Sequence, residues 1–332
     1  IACSLGIYQA YLSIIATLFI MILILKCMDN NTNPYIIIKD AIKYFLTLLS
    51  GLVLYLFINK IIINYKDMGL STYQGINTIG TLSISQLFEG IKKAYVNYIS
   101  IINTDYLGLF NNIIIHFSII LSYICFLLVS IWTLLKANSL LKKLQMLIYI
   151  LLYPLAINFI QIMCANNSTT IHTLMVYSTV FIFIWPFILL EKIKPSFNYE
   201  TTNLLKFLLF SAGKWLVIIS TILTVIFYIF FNNEAYLKVQ LLKEQSNSYF
   251  TTLITQIKST EGYTDSLPIA FIGYNHDNSI TNMPAFNNIE ITAYNWNLND
   301  WLNDYAWQEY MSLHCGYKPE IVTDTSQIAS WE

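Results

Sequence analysis

Long apolar runs separated by short polar or basic connections dominate the first 231 positions. Six runs are long and apolar enough to span a bilayer: 1–25, 41–63, 113–135, 144–163, 171–190 and 207–231. Lys43 and Lys60 interrupt the ends of the second, where both can snorkel to the surface. Polar residues inside such runs are costly unless they face protein or water. The densest group is SLGIYQAYLS at 4–13, which puts Ser4, Tyr8, Gln9 and Tyr11 in the first run. His116 and Ser118 stand near the start of the third run, and His172 and Thr173 near the start of the fifth. Asn158 and Gln161, near the end of the fourth, are three apart and share one helix face.

Charge in the connections orients the runs. The connections 26–40, 136–143 (KANSLLKK) and 191–206 (Lys192, Lys194, Lys206) are basic, whereas 164–170 (CANNSTT) carries no charge. The positive-inside rule places the basic three in the cytoplasm. It leaves the N-terminal edge, 64–112, 164–170 and everything after 231 outside. Lys66, Lys92 and Lys93 in the long connection vote the other way, but long loops weigh little. With this topology Tyr8, Gln9, His116, Asn158, Gln161 and His172 all fall near the outer surface. Lys214, in the inner half of the sixth run, is the exception.

Two outer segments carry structure of their own. In 64–112, Ile84, Leu87, Phe88, Ile91, Tyr95, Tyr98, Ile99 and Ile102 recur at a helical period, which predicts an interfacial helix over 84–102. Residues 232–332 read as a soluble α/β domain. Its expected elements are a helix from Glu234 to about Ser259 stopped by Gly262, a strand PIAFIGY (268–274), a helix capped by Asn299 or Asp300, and a short strand EIVT after Pro319. It has 12 acidic residues against four lysines, which suits an exported domain and speaks against nucleic-acid binding. The fold class is thus an α-helical polytopic membrane protein of about six transmembrane helices (1–231) with a small C-terminal α/β extracytoplasmic domain.

Composition agrees: the 332 residues are 56% hydrophobic and 11% charged. There is no arginine, so a phosphate must be held by lysine, backbone N–H groups or a metal. The five cysteines, at 3, 27, 125, 164 and 315, have no metal-site or disulfide spacing, and no metal site is expected. The chain opens at Ile1 without Met or a basic leader, so further helices are expected to precede it. No P-loop, GxGxxG, HExxH or GxSxG pattern supports ATP-driven or Rossmann-type chemistry.

The convergence of polar groups predicts a cavity open to the outer face, fit for a lipid-borne or extracellular polar substrate. Each member also has a plain reading as helix–helix contact or interfacial residue. Acid–base candidates are Asp67, Glu89 and Asp105 in the outer loop and His276 with Asp277 in the tail, none at a diagnostic spacing.

SLGIYQAYLS at 4–13, IHTLMVYS at 171–178 opening a late helix, and a C-terminal extracytoplasmic domain together resemble the GtrII family of bacterial and phage-type membrane glucosyltransferases. The resemblance implies a GT-C architecture in the bacterial cytoplasmic membrane. It implies transfer of a sugar from a polyprenyl-phosphate carrier to a surface glycan such as O-antigen at the outer face. It implies neighbours too, a glycosyltransferase that makes the donor and a flippase that delivers it; whether a divalent metal takes part is left open. The principal acid of such enzymes lies in the first external loop, expected upstream of Ile1. Tyr8, Gln9 and His172 match the motifs as substrate-lining positions, Asn158 and Gln161 join them by depth, and Lys66, Lys92 or Lys93 could meet the phosphate. The alternative is another membrane protein of polysaccharide export or assembly: a flippase, polymerase or transporter. No internal repeat supports a transporter, and Pro154 and Pro186 are the only intramembrane prolines.

Overall fold

A computed structural model describes residues 1–66, 83–100, 113–136, 139–163, 173–192, 204–270 and 307–322. The chain divides into two units, Ile1–Val225 and Ile226–Glu332. Among the described residues four helices are long and apolar enough to cross a membrane: Tyr11–Met28, Pro34–Lys66, Leu140–Ile157 and the run Ser211–Ser259. The run expected at 113–135 forms the helix Ile113–Lys136.

The first expected span is not one helix. Its N-terminal part is α1 (Ala2–Ile7), Tyr8 is extended (φ −158°, ψ 119°), and α2 (Tyr11–Met28) follows. Gly6 weakens α1, and the Gln9 side chain leaves the helix for a partner elsewhere. Buried α2 sits at the centre, packed on α3 (Pro34–Lys66) and on α6 (Leu140–Ile157). α3 covers the outside: Phe45, Val53, Phe57 and Ile61 are exposed, which suits a helix facing lipid. At Gly51 it meets α1 so closely that an added Cβ would lie 2.4 Å from Ile1 Cγ2.

The fourth expected span is also interrupted. α6 holds Pro154 and ends at Ile157, and a short α7 (Phe159–Met163) follows Asn158. The fifth begins as a 3₁₀ helix, Thr173–Val180, before α8 (Phe181–Lys192). Between α3 and α6 lie α4 (Ile84–Ser100), packed on α6 and α7, and α5 (Ile113–Lys136), packed on α8. The helix expected at 84–102 therefore forms, but its inward residues are Gly90, Ala94 and Tyr98, while Ile84, Leu87, Phe88 and Ile99 are exposed. Small residues let the backbones approach, and in a membrane the large apolar ones gain nothing by turning inward.

The sixth run and the tail helix are one element, α9 (Leu204–Ser259), with no break at Asn232. The Asn pair at 232–233 lowers helix propensity only mildly, and neither Gly nor Pro occurs between Gly213 and Ser259. In the first unit the Ser122 and Ser220 hydroxyls join α5 to α9 at 2.9 Å. The second unit packs Phe250 and Ile254 of α9 against Trp307, Tyr310 and Met311 of α10 (Trp307–Cys315), with Tyr317. Gly262 (φ +80°) follows the end of α9 and Gly316 (φ +63°) the end of α10, a backbone state that costs glycine least. The expected strands contribute one parallel bridge, Ile269 to Ile321, and the described residues hold no strand. The helix expected after Asn299 or Asp300 has its start outside the described residues, as do His276 and Asp277.

One end of the first unit gathers the basic connections. Lys142 Nζ donates to the Asp29 carbonyl at 2.6 Å, and Gln145 Nε2 to the Pro34 carbonyl at 2.9 Å. Hydrogen bonds from the Thr32 hydroxyl and the Asn31 N–H, then the charges of Lys142 and Lys192, hold the Asp29 carboxyl below its usual range. Lys26 pairs with Asp40 at 2.6 Å. The α2–α3 turn, the start of α6 and the end of α8 thus share a side, as the charge pattern of their connections predicts.

Candidate functional site

The opposite end of the same helices is where their backbones break. α2 starts there and α6 finishes there, which brings 8–10 toward Asn158. Irregular backbone at membrane depth persists only where protein or a water-filled cavity satisfies it. Here side chains from other helices do so. Ser13 Oγ accepts from the Ile160 N–H at 3.3 Å, and Ser178 Oγ donates to the Ile157 carbonyl at 2.5 Å. Asn158 Nδ2 donates to the Ala94 carbonyl at 3.0 Å, tying the break to α4. Beneath them Leu5, Leu12, Tyr55, Ile160 and Met163 form an apolar floor.

Gln9 uses its freedom from the helix to donate Nε2 to Tyr55 Oη at 3.0 Å, and Asn59 Nδ2 approaches the same oxygen at 3.3 Å. Tyr8 stands edge-on to Tyr11, ring centroids 5.7 Å apart. Tyr8 and Gln9 are half-buried, while Asn158 and Gln161 are fully buried. Of the residues expected to converge, Tyr8 and Gln9 therefore meet the helix of Asn158 and Gln161 through Ser13 and the apolar floor. His116 lies in the first turn of α5, its Nδ1 buried and without a hydrogen-bond partner.

The others stand differently. Glu89 and Lys93 pair with each other at 3.3 Å on the exposed side of α4, an i,i+4 contact worth about 0.3–0.5 kcal/mol. Lys92 is exposed on the same helix. His172, Asp67 and Asp105 lie outside the described residues.

The gathered groups are amides, hydroxyls and phenols, a set with the donors and acceptors that a hydroxyl-rich ligand would require. Glu89, the acid on α4, is turned to Lys93. Among the described residues no cluster of three His, Cys, Asp or Glu side chains offers a metal site. Residues that the motifs did not flag complete the set. Tyr55 lies one turn beyond Gly51, the close approach to α1, and Asn59 one turn further. Deeper in the unit Tyr98, Tyr123, Phe126, Tyr153 and Trp185 pack ring on ring. Read along the chain, these aromatics have the spacing of any buried helix face.

A family model described as Glucosyl transferase GtrII matches residues 1–183. That range takes in the breaks at 8–10 and Asn158, α4, and the 3₁₀ helix. No curated protein and no solved structure matches the chain.

Proposed function

Starting from the fact that the chain belongs to the GtrII glucosyl transferase family, we propose that it moves glucose from a polyprenyl-phosphate carrier to a surface glycan such as O-antigen. The observation that carries this reading is the meeting of helix interruptions at one end of the first unit, where Gln9, Tyr55 and Asn59 share one polar contact. A glycolipid headgroup entering there keeps its isoprenoid in the bilayer and finds amides and phenols for its hydroxyls. Tyr8, Gln9, Asn158, Gln161 and His172 line the donor, while Lys92 and Lys93 face its phosphate. The reaction takes place on the outer face of a bacterial cytoplasmic membrane in a GT-C type of enzyme, and the domain expected over 232–332 meets the acceptor. A donor-making glycosyltransferase and a flippase act before it.

The test is direct. The gene is deleted and restored, and the sugar composition and linkages of the surface glycan are compared. Loss of one glucosyl branch on deletion is the expected result; an unchanged glycan sinks the reading. The helix breaks favour a second reading, because transporters bind their cargo at interrupted helices. Purified protein in liposomes separates the two. Movement of labelled glycolipid between leaflets without transfer of glucose selects transport.

A further inference from the structure

We infer that Tyr98, Tyr153, Asn158 and Trp185 form a buried subsite that recognises the ring of a hexose. Four polar atoms in this group, Tyr98 Oη, Tyr153 Oη, Asn158 Oδ1 and Trp185 Nε1, are buried without a hydrogen-bond partner. Tyr153, Asn158 and Trp185 are 0% exposed and Tyr98 is 8% exposed. Buried polar atoms are nearly always paired, and several orphans in one place call for a partner that the chain does not provide.

The four belong together. The Tyr153 ring centroid lies 6.4 Å from that of Tyr98 and 6.4 Å from that of Trp185. Asn158 N–H donates at 3.1 Å to the carbonyl of Pro154, the residue next to Tyr153, and Asn158 Nδ2 reaches Ala94, one turn before Tyr98. Tyr123 Oη donates to the Tyr98 carbonyl at 2.7 Å and fixes that end of α4.

Their chemistry selects the occupant. Two phenols both donate and accept, the indole only donates, and the amide oxygen only accepts. A lipid tail would leave all four unpaired. An anion would find two phenols and an indole but be repelled by the amide oxygen. A hexose hydroxyl donates and accepts in turn, and its C–H face lies well on an aromatic ring. In this structure the side chains close on one another, so the ring enters when the helices part. Pro154, which has no N–H for the α6 ladder, is the place where α6 bends most easily.

This inference rests on the glucosyltransferase reading for the identity of the sugar, and its test separates the two. The full chain in lipid nanodiscs is melted with polyprenyl-phosphate glucose, with polyprenyl phosphate alone and with methyl glucoside, and glucose transfer is assayed in the same preparation. The glucose-bearing lipid raises the midpoint beyond the bare phosphate lipid. In Tyr153→Phe and Trp185→Phe the affinity read from that shift falls about tenfold, the loss of roughly one hydrogen bond. Tyr153→Phe melts without ligand at the same or a higher temperature, because it has lost an unpaired polar atom, whereas Trp185→Phe also leaves a cavity in a fully buried site and melts lower. A shift with methyl glucoside alone supports the subsite with the acceptor's sugar as its occupant.

Three results overturn the subsite: no sugar-dependent shift in the parent protein, an unchanged shift in both variants, or a lower ligand-free midpoint in Tyr153→Phe. Transfer without a sugar-dependent shift removes the subsite and leaves the proposed function. A shift without transfer, in protein carrying its complete natural sequence, does the reverse.

Discussion

Ser13 Oγ accepts a hydrogen bond from the Ile160 N–H, so a side chain of α2 takes the place of the helical turn missing between α6 and α7. Both groups are buried, and neither has water to fall back on. Ser13→Ala leaves the Ile160 N–H unpaired. The expected cost is about 1–3 kcal/mol of stability, read as a lower melting temperature in detergent. Ser13→Thr keeps the acceptor and loses less.

Gln9 and Tyr55 form one contact and act as a unit. If they hold the donor headgroup, Gln9→Ala raises the KM for the glycolipid about tenfold with little change in kcat, the pattern of lost uniform binding. Tyr55→Phe does the same. The double variant falls short of the sum of the two, because the second change removes a contact already broken. Additive losses would show that the pair does not bind the substrate together.

Glycines give a paired test of packing. At Gly51 an added Cβ meets Ile1 Cγ2 at 2.4 Å, whereas at Gly6 nothing lies within 4 Å. Gly51→Ala forces α1 and α3 apart and costs about 1–3 kcal/mol. Gly6→Ala in the open part of α1 is neutral or stabilising by up to about 1 kcal/mol. Thermal melting of the two variants beside the parent protein checks the contrast.

The Asp29 carboxyl offers a pH test. Its pKa in the folded chain lies below the usual 3.8, first because the Thr32 hydroxyl bonds it. A depressed folded value stabilises the fold above the unfolded pKa, and the contribution disappears as pH falls through the folded one. The parent protein therefore loses stability relative to Asp29→Asn between about pH 5 and pH 3. Parallel melting curves for the two proteins over that range would contradict the assignment.

Four of the six expected spans have counterparts long and apolar enough to cross a membrane among the described residues, because length and hydropathy suffice to mark a helix in lipid. Their interruptions were not legible, since the α6–α7 break is held from distant points in the chain: Ser13 for the Ile160 N–H, Ser178 for the Ile157 carbonyl and Ala94 for the Asn158 side chain. The sequence marked 4–13 as polar without showing that the backbone breaks there. α4 was legible as a helix and illegible in orientation. Most of its hydrophobic period (Ile84, Leu87, Phe88, Ile99) is exposed, and the packing side is the quiet one of Gly90 and Ala94, joined by Tyr98. In the second unit the residues Ile269 and Ile321 do pair, within segments read as strands. The aromatic cluster around Tyr153 escaped because rings that pack and rings that bind share the same spacing.

α3 also works as a depth gauge. Its 33 residues extend about 50 Å, against a hydrocarbon core of about 30 Å. The apolar stretch between Lys43 and Lys60 covers about 26 Å, a length that such a core accommodates with these two lysines at its edges. Tyr55 is five residues short of Lys60, about 8 Å below the edge. With Lys60 at that edge, the Gln9 contact lies beneath the headgroup layer. Under the proposed function, a sugar that reaches it leaves bulk water while its lipid anchor stays in place, and the acceptor glycan reaches down into the protein to collect it.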